Sequence, residues 1–406
     1  MTISRTIHPF PARMAPDVAL RAIHRLPKGA LVLDPMVGSG TVLRAAIDSG
    51  HPAIGFDVDP LSVLMSEVWV TPIDTEEVRK AARKIASQSE KIAPYKVLLP
   101  WIDKDSETLQ FIHFWFDTPQ IEGLRRISWL LAKRNDVVGN ALRIAVSRLI
   151  IQKKRGASLA GDVSHSRPHR IRRTNDFNVI SEFVRSADKV ANQLEKDRTT
   201  SDAIVEIGDA RNMQKLPDNA VDAIVSSPPY LNAIDYLRGH RLSLVWFGYS
   251  ISELRQIRAE SVGVARAPDA QTNLNIMHNI VASCGDIDLL PCNKRAMIFR
   301  FASDVDSFLG EANRVLQPGG IAVYVVGNSS MNGIFIDNTS ILINAANLYG
   351  WRLVDRYERE ILANRRYMPP PNKSNSSPMR QRMGTECIVT FHKPMQRQTR
   401  IKKRLL

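Results

Sequence analysis

Short apolar runs that stop at an acidic residue mark the first part of the chain. Residues 30–34 read Ala-Leu-Val-Leu-Asp, and residues 53–57 read Ala-Ile-Gly-Phe-Asp. Between them lie a glycine-containing turn and the helical pattern of residues 42–47. This order of strand, turn, helix and strand is typical of a βαβ unit with buried parallel strands.

The same pattern returns in the second half of the chain. Strands are predicted over residues 203–209, 221–225, 321–326, 351–357 and 386–391, with a helix over 337–349. In between, the apolar positions have helical spacing over residues 75–93, 121–151 and 177–196. We therefore predict an α/β fold, with a mostly parallel, doubly wound sheet formed by residues 1–70 and 201–392. A mainly helical insertion is predicted over residues 71–200 and a basic tail over 393–406.

The composition is that of a globular protein with a basic surplus. Hydrophobic residues make up 44% of the 406 residues and charged residues 24%, which excludes a mostly disordered, collagen-like or coiled-coil protein. The 55 Lys and Arg residues exceed the 41 Asp and Glu residues by 14. Such a surplus favours a polyanionic partner, and it does not choose between DNA, RNA and an anionic membrane surface.

Three cysteines, Cys284, Cys292 and Cys387, are too few and too irregularly spaced for a disulfide framework or a zinc motif. We predict no metal site. The sequence shows no secretory signal and no uncharged apolar run of the ~18 residues that span a bilayer. We therefore expect a soluble, cytoplasmic protein without a membrane partner.

The first candidate site is the turn Asp34-Pro35-Met36-Val37-Gly38-Ser39-Gly40-Thr41. Glycines after a strand let a ligand approach the backbone at the start of the next helix, although a glycine pair alone is also compatible with an ordinary tight turn. A nicotinamide dinucleotide fingerprint would have a third glycine where Leu43 stands. Asp57, at the end of the next strand, is suited to accept hydrogen bonds from a ribose diol. The pattern therefore indicates a site for a nucleoside that lacks a pyrophosphate.

The second candidate site is the segment Ser227-Pro228-Pro229-Tyr230, which follows a hydrophobic strand. The two prolines lack backbone N–H donors, so the carbonyls and the Ser227 hydroxyl remain as acceptors beside an aromatic ring. This combination suits the exocyclic amino group of a planar base that stacks on Tyr230. Standing alone, the segment would be equally compatible with a plain Pro-Pro turn.

These segments together resemble the motifs of the amino-group DNA methyltransferases, which methylate cytosine N4 or adenine N6 with S-adenosylmethionine. Residues 34–41 resemble the family's first cofactor motif, with Met36 where Phe is usual, and residues 227–230 match its catalytic motif. Residues 8–13 resemble the motif that packs beside the methionine end of the cofactor. Residues 208–210 resemble the motif whose acid meets the cofactor's adenine amino group, and residues 314–320 resemble a turn that leads into a later strand.

The resemblance implies a Rossmann-like methyltransferase fold and assigns the site residues. The implied catalytic residues are Ser227, Pro228, Pro229 and Tyr230. The residues implied to bind the cofactor are His8, Phe10, Asp34, Pro35, Gly38, Ser39, Gly40, Thr41, Asp57 and Asp209. The implied reaction is site-specific methylation of a base flipped out of double-stranded DNA.

Several alternatives for the substrate and the biological role stay open. Serine at position 227 favours cytosine N4, and adenine N6 is the nearest alternative. An RNA methyltransferase and a catalytically silent nucleic-acid-binding module on the same fold are further alternatives. A cognate restriction endonuclease, an orphan regulatory role and phage-encoded protection are all compatible with the resemblance, and the sequence fixes neither the recognition site nor the oligomeric state.

A basic segment inside the insertion is the candidate nucleic-acid contact, with a solvated loop as the alternative. Its candidate phosphate-binding residues are Lys153, Lys154, Arg155, Arg167, Arg170, Arg172 and Arg173. The family's standard arrangements place target recognition elsewhere relative to the motifs, so the insertion is assigned to DNA recognition as a hypothesis. Residues 235–240 either line the base pocket or start a helix capped by Asp235.

Overall fold

The computed structural model describes most of the chain. The described residues are 7–10, 13–152, 155–161, 168–196, 203–231, 235–263, 274–361 and 384–395. Its first elements are α1 (Pro16–Ile23), β1 (Val32–Asp34), α2 (Thr41–Asp48), β2 (Ala53–Asp57) and α3 (Pro60–Val70). The predicted βαβ unit is therefore confirmed.

The inserted segment is mainly helical, as predicted. Its elements are α4 (Thr75–Lys91), α5 (Pro100–Asp103), α6 (Ser106–Trp115), α7 (Thr118–Leu131), α8 (Val137–Ile150), β3 (Ala160–Gly161), β4 (His169–Arg170) and α9 (Val179–Lys196). The helical spacing over 121–151 corresponds to two helices, because the Asp136 carboxylate accepts the Gly139 N–H at 2.6 Å and starts α8. The short antiparallel pair β3–β4 was not predicted.

The remaining elements complete the sheet and its second layer of helices. They are β5 (Ala203–Ile207), β6 (Val221–Ser226), α10 (Tyr236–Leu244), α11 (Ile251–Glu260), α12 (Leu274–Val281), α13 (Cys292–Val315), β7 (Leu316–Val326), β8 (Ser329–Met331), β9 (Ile334–Ile336), α14 (Asn338–Leu348), β10 (Arg352–Glu360) and β11 (Thr385–His392).

Seven strands form one sheet in the order β10-β11-β7-β6-β1-β2-β5. β11 runs antiparallel to both of its neighbours, and the other pairs are parallel. The predicted Rossmann-like fold class is confirmed. The carboxyl ends of β1, β2, β5, β6 and β7 meet at one edge, and the candidate site residues follow several of these ends.

β7 starts earlier than the sequence pattern predicts. A step of two residues on β6, from Val221 to Ala223, is matched by a step of five on β7, from Leu316 to Ile321. The extra residues bulge out of the ladder, and Gly319 takes a φ of 84° there. The tight turn that the sequence predicts before the strand is thus a bulge within β7.

The apolar core lies on both faces of this sheet. Adjacent strand residues point to opposite faces, and Val32 belongs to one apolar cluster while Leu33 belongs to the other. The first cluster also contains the buried faces of α4, α7, α8 and α9, and α8 packs against α3 and α10. The helices of the inserted segment therefore share a core with the sheet helices, and the predicted domain boundaries stay a prediction. Among the described helices, none has the length and apolarity needed to cross a membrane.

Candidate active site

The glycine turn between β1 and α2 is held against the end of β2. The Gly38 N–H donates to the Asp57 carboxylate at 2.9 Å, and the Val37 N–H donates to the Phe56 carbonyl at 2.9 Å. Gly38 and Gly40 have φ values of 50° and 80°, which favour glycine. A Cβ at Gly40 would come within 3.0 Å of the Ser66 Cα, so close packing also requires glycine there. The turn is thus closely packed at the start of α2, and Gly38 is its partly exposed glycine.

Two carboxyls with unusual protonation flank this turn. Burial raises the pKa of Asp34 to about 7, although Ser226 Oγ donates to its carboxylate at 2.7 Å. Burial, with the negative charge of Asp59 next to it, also raises the pKa of Asp57 to about 7. A positively charged ligand in this pocket would favour the ionised form of both groups.

The catalytic candidates stand at the carboxyl end of β6. Ser227 Oγ donates to the Val325 carbonyl of β7 at 3.2 Å and is also hydrogen-bonded to the Tyr230 side chain, and its oxygen can act as an acceptor. Ser227, Pro229 and Tyr230 are partly exposed, and Pro228 is buried. Burial and the negative charge of Glu386 raise the pKa of Tyr230 to about 12, so its phenol stays neutral.

Gly327, directly after β7, positions the ring of Tyr230. A Cβ at Gly327 would lie 2.6 Å from Tyr230 Cε2 and 2.9 Å from its Cδ2, both shorter than real contacts allow. The Gly327 carbonyl accepts from Asn338 Nδ2 at 2.9 Å, which fixes the backbone on which the ring rests. Sequence reasoning missed Gly327, because nothing near it in the chain shows that a tyrosine about a hundred residues earlier packs against it.

Phe10, one of the two N-terminal candidates, lies between the glycine turn and the helix that follows the catalytic segment. The ring of Phe10 stacks on Tyr236 of α10, with centroids 5.0 Å apart and planes at 14°. The same ring lies beside Gly38, where a Cβ would come within 3.2 Å of Phe10 Cζ. Phe10 therefore contacts both the glycine turn and the helix that follows the catalytic segment.

His8 is anchored to the inserted segment. Its Nε2 lies 2.9 Å from Ser147 Oγ of α8, and Ser147 Oγ lies 2.9 Å from Ser243 Oγ of α10. Burial and the positive charge of Arg148 lower the pKa of His8 to about 3, so the imidazole is neutral. We name the set His8, Ser147 and Ser243 the serine–histidine link.

Residues 235–240 lie at the start of a helix, and the alternative that they line the base pocket stays a prediction. Asp235 caps α10 through the Arg238 N–H, as the more conservative interpretation predicted. His240 Nδ1 lies 2.5 Å from the carboxylate of Asp59, which caps α3, and both side chains are buried. This contact joins α10 to the end of β2.

The carboxylate of Asp209, another cofactor candidate, is paired with an arginine. Both of its carboxylate oxygens accept from the guanidinium of Arg211, at distances from 2.6 to 3.1 Å. Arg211 also donates to Asp304 of α13 at 2.7 Å, and these two carboxylates raise its pKa. A ligand amino group would have to share Asp209 with Arg211, and the cofactor role of Asp209 stays a prediction.

Comparison with known proteins finds similarity to methyltransferases. No family model matches the chain. The Type II methyltransferase M.MvaI from Kocuria varians is 26% identical over 410 residues, which cover 91% of this chain and 86% of that protein. The Type II methyltransferase M.AvaI from Anabaena variabilis is 23% identical over 415 residues, covering 89% and 80%.

The chain is similar to Type II methyltransferases over most of its length. The predicted resemblance is thereby confirmed. A solved SAM-dependent methyltransferase from Methanosarcina mazei matches 92% of this chain and 96% of its own at 9% identity, with a TM-score of 0.32.

The likeness to the Type II methyltransferases is not confined to the motif-bearing parts. Residues 71–200 make up 130 of the 406 residues, so a match covering 91% of the chain must extend across that segment. The region matched to M.MvaI therefore includes most of residues 71–200, in which the sequence shows no recognised motif.

The basic segment is only partly described. Lys153, Lys154 and Arg167 lie outside the described residues. Arg155 is exposed and pairs with Asp176, and Arg173 is exposed. Arg170 is exposed and lies over the ring of Phe114, and it donates to the carbonyl of Arg172, which is partly buried. The structure thus leaves Arg170 and Arg173 accessible, and their predicted role in phosphate binding stays a prediction.

We expect Asp34→Asn to gain stability relative to the wild type as the pH rises from about 4 to 7. The folded pKa of about 7 lies above the unfolded value, so the folded protein keeps a proton that the unfolded chain has already lost. The wild-type free energy of unfolding therefore falls over this window, by at most about 4 kcal/mol from this group. Asparagine keeps the acceptor for Ser226 and does not titrate.

Urea denaturation of both proteins at about pH 4, 5.5 and 7 measures this difference. Titrating groups that do not interact with Asp34 contribute equally in both proteins and cancel in the difference, and the coupling to Asp57 remains as a smaller contribution. A difference in unfolding free energy that stays constant over the window would contradict the raised pKa of Asp34.

Proposed function

We propose that this chain is a site-specific DNA methyltransferase that uses S-adenosylmethionine and methylates an exocyclic amino group, with cytosine N4 favoured. The observation that carries the proposal is the arrangement of Ser227, whose hydroxyl proton is directed to the Val325 carbonyl. Its oxygen is thereby left as an acceptor beside Tyr230, at the same sheet edge as the glycine turn. The relation to the Type II methyltransferases supports the same conclusion.

The residues around the glycine turn fit S-adenosylmethionine. The cofactor supplies a methyl group as an electrophilic carbon on a sulfonium. Gly38 and Gly40 provide backbone that a Cβ would obstruct, and Asp57 provides a carboxylate suited to the ribose diol. Phe10 covers the turn from the side, which agrees with a place beside the methionine end of the cofactor.

The residues at the end of β6 hold and orient the base. The lone pair of an exocyclic amine is delocalised into the ring, which makes the amine a poor nucleophile. The Ser227 oxygen and the Pro228 carbonyl accept the two N–H hydrogen bonds of the amine and take its lone pair out of conjugation with the ring. Much of the acceleration then comes from positioning, and the amine releases its proton to solvent.

Tyr230 binds the face of the base. The base cannot reach this loop from within a duplex, so it is flipped out at a cost of a few kcal/mol. The neutral phenol ring, fixed against Gly327, stacks on the flipped base and offsets part of that cost. The serine at position 227, where the family also uses Asp or Asn, is the reason for favouring cytosine N4.

Product analysis tests the proposal. Purified protein is incubated with S-adenosylmethionine and mixed-sequence duplex DNA, or RNA duplex of the same sequence, and the digested nucleosides are identified by mass spectrometry. We expect N4-methyldeoxycytidine from DNA alone, and none from a Tyr230→Ala protein prepared in the same way, which controls for a contaminating enzyme.

Other products would overturn parts of the proposal. N6-methyldeoxyadenosine would keep the reaction but refute cytosine as the base. Methylation of RNA alone would refute DNA as the substrate. No product from either nucleic acid, with S-adenosylmethionine still bound, would instead support the silent binding module.

A further inference from the structure

Three arginines lie beside the catalytic segment, on the two helices that flank it. Arg238 and Arg241 belong to α10, and Arg258 belongs to α11; we call them the mouth arginines. α10 begins six residues after Tyr230. Shortly after α11 ends, Gly263 approaches the same residue, since a Cβ there would lie 3.6 Å from the Tyr230 carbonyl. Both helices are therefore anchored next to the loop that would hold the flipped base.

The mouth arginines carry more positive charge than their neighbour neutralises. Asp235 accepts from Arg258 Nε at 2.6 Å and lies 3.6 Å from Arg238 Nε. In the described part of the chain the buried Nε of Arg241 has no hydrogen-bond partner, although the negative charge of Asp235 also acts on this guanidinium. Burial, and then the positive charge of Arg258, lower its pKa. Three cations thus face one carboxylate.

An aromatic face of α6 connects the mouth arginines to the basic segment. Phe111 and Phe114 are three residues apart and so lie on one face of the helix. The guanidinium carbon of Arg241 lies 5.1 Å from the centre of the Phe111 ring, and that of Arg170 lies 5.4 Å from the centre of the Phe114 ring. Phe114 is half exposed, so the two cation–π pairs form a strip at the surface.

We propose that the mouth arginines bind backbone phosphates of DNA next to the flipped base. The phosphate-binding surface then continues across Phe114 to Arg170. The inference rests on the proposed function and adds to it a location for the DNA backbone. A base that enters the loop brings its flanking phosphates to the helices beside Tyr230. Guanidinium groups match phosphate oxygens in geometry and charge, so the surplus of arginines beside Tyr230 would neutralise the negative charge of these phosphates.

The salt dependence of DNA binding tests the inference. We expect Arg238→Gln and Arg241→Gln each to lower the slope of log affinity against log salt by about 0.9, and the double variant by about 1.8. Phosphate contacts carry no sequence information, so the loss of affinity should be similar for duplexes of different sequence. S-adenosylmethionine binding is measured in parallel and should be unchanged.

Arg352→Gln is the matched control, because it removes the same charge at the opposite end of the sheet. Arg352 pairs with His392, which pairs with Ile321, five residues before the carboxyl end of β7. This exposed control should leave the slope unchanged. Arg238 is partly exposed, so its variant tests the inference even if Arg241→Gln weakens packing on Phe111.

The outcomes separate this inference from the proposed function. If both variants keep the wild-type slope, the phosphate site is refuted and the proposed methylation is not affected. The same holds if Arg352→Gln lowers the slope as much as the two variants do. A wild-type protein that binds no DNA at any salt concentration would overturn both.

Discussion

Ser227→Ala should lower kcat by about 10²–10³-fold, the usual cost of removing one positioned hydrogen-bonding group that acts in the transition state. The Ser227 hydroxyl donates to the Val325 carbonyl, so the oxygen presents only acceptor positions to a ligand. Alanine removes one of the two acceptors that would hold the amine, and the amine lone pair then stays conjugated with the base. The affinity for S-adenosylmethionine should not change, because the glycine turn and Asp57 are untouched.

Single-turnover rates with saturating DNA and cofactor measure this effect. Ser307→Ala, an exposed serine of α13, is the control and should retain the wild-type rate. Full activity in Ser227→Ala would remove the proposed role of the hydroxyl and leave the Pro228 carbonyl as the sole acceptor.

Gly327→Ala should lower kcat by about 10²-fold, since a displacement of reacting groups by about 1 Å has effects of this size. The added Cβ would lie 2.6 Å from Tyr230 Cε2, so the ring must move from its place beside Ser227. Gly327 does not have a positive φ, so the substitution adds bulk without backbone strain.

A double-mutant cycle with Tyr230→Ala shows whether Gly327 acts through the tyrosine. In the Tyr230→Ala background there is no ring to displace, and Gly327→Ala should then have little further effect on kcat. Fully additive losses would show that Gly327 acts independently of Tyr230, and would refute its positioning role.

The sequence predicted those features that depend on local pattern. The apolar runs that end at Asp34 and Asp57 became β1 and β2, and the helix over 337–349 became α14, because burial on both faces and helical periodicity are visible within one element. The cap at Asp235 was likewise readable from residue type alone.

Features that depend on contacts between distant elements could not be predicted in this way. Gly327 meets Tyr230, and Arg241 meets Phe111, only because the fold brings together elements that are far apart in sequence. The basic segment is recognisable from its composition. Arg238 lies within residues 235–240, which the sequence indicates as a possible lining of the base pocket, whereas Arg241 and Arg258 lie in ordinary amphipathic helices and give no local signal. A sequence pattern identifies groups that can bind phosphate, and only the fold tells which of them stand at the loop.

The serine–histidine link has a consequence for protein engineering. Ser147 belongs to the inserted segment, yet its two partners, His8 and Ser243, belong to parts of the chain before and after it. Transplanting residues 71–200 from one relative to another, to redirect target choice, would cut this buried polar chain at both ends. A chimera would therefore also need the matching residues at positions 8 and 243, so the part of the chain that must be exchanged is larger than residues 71–200.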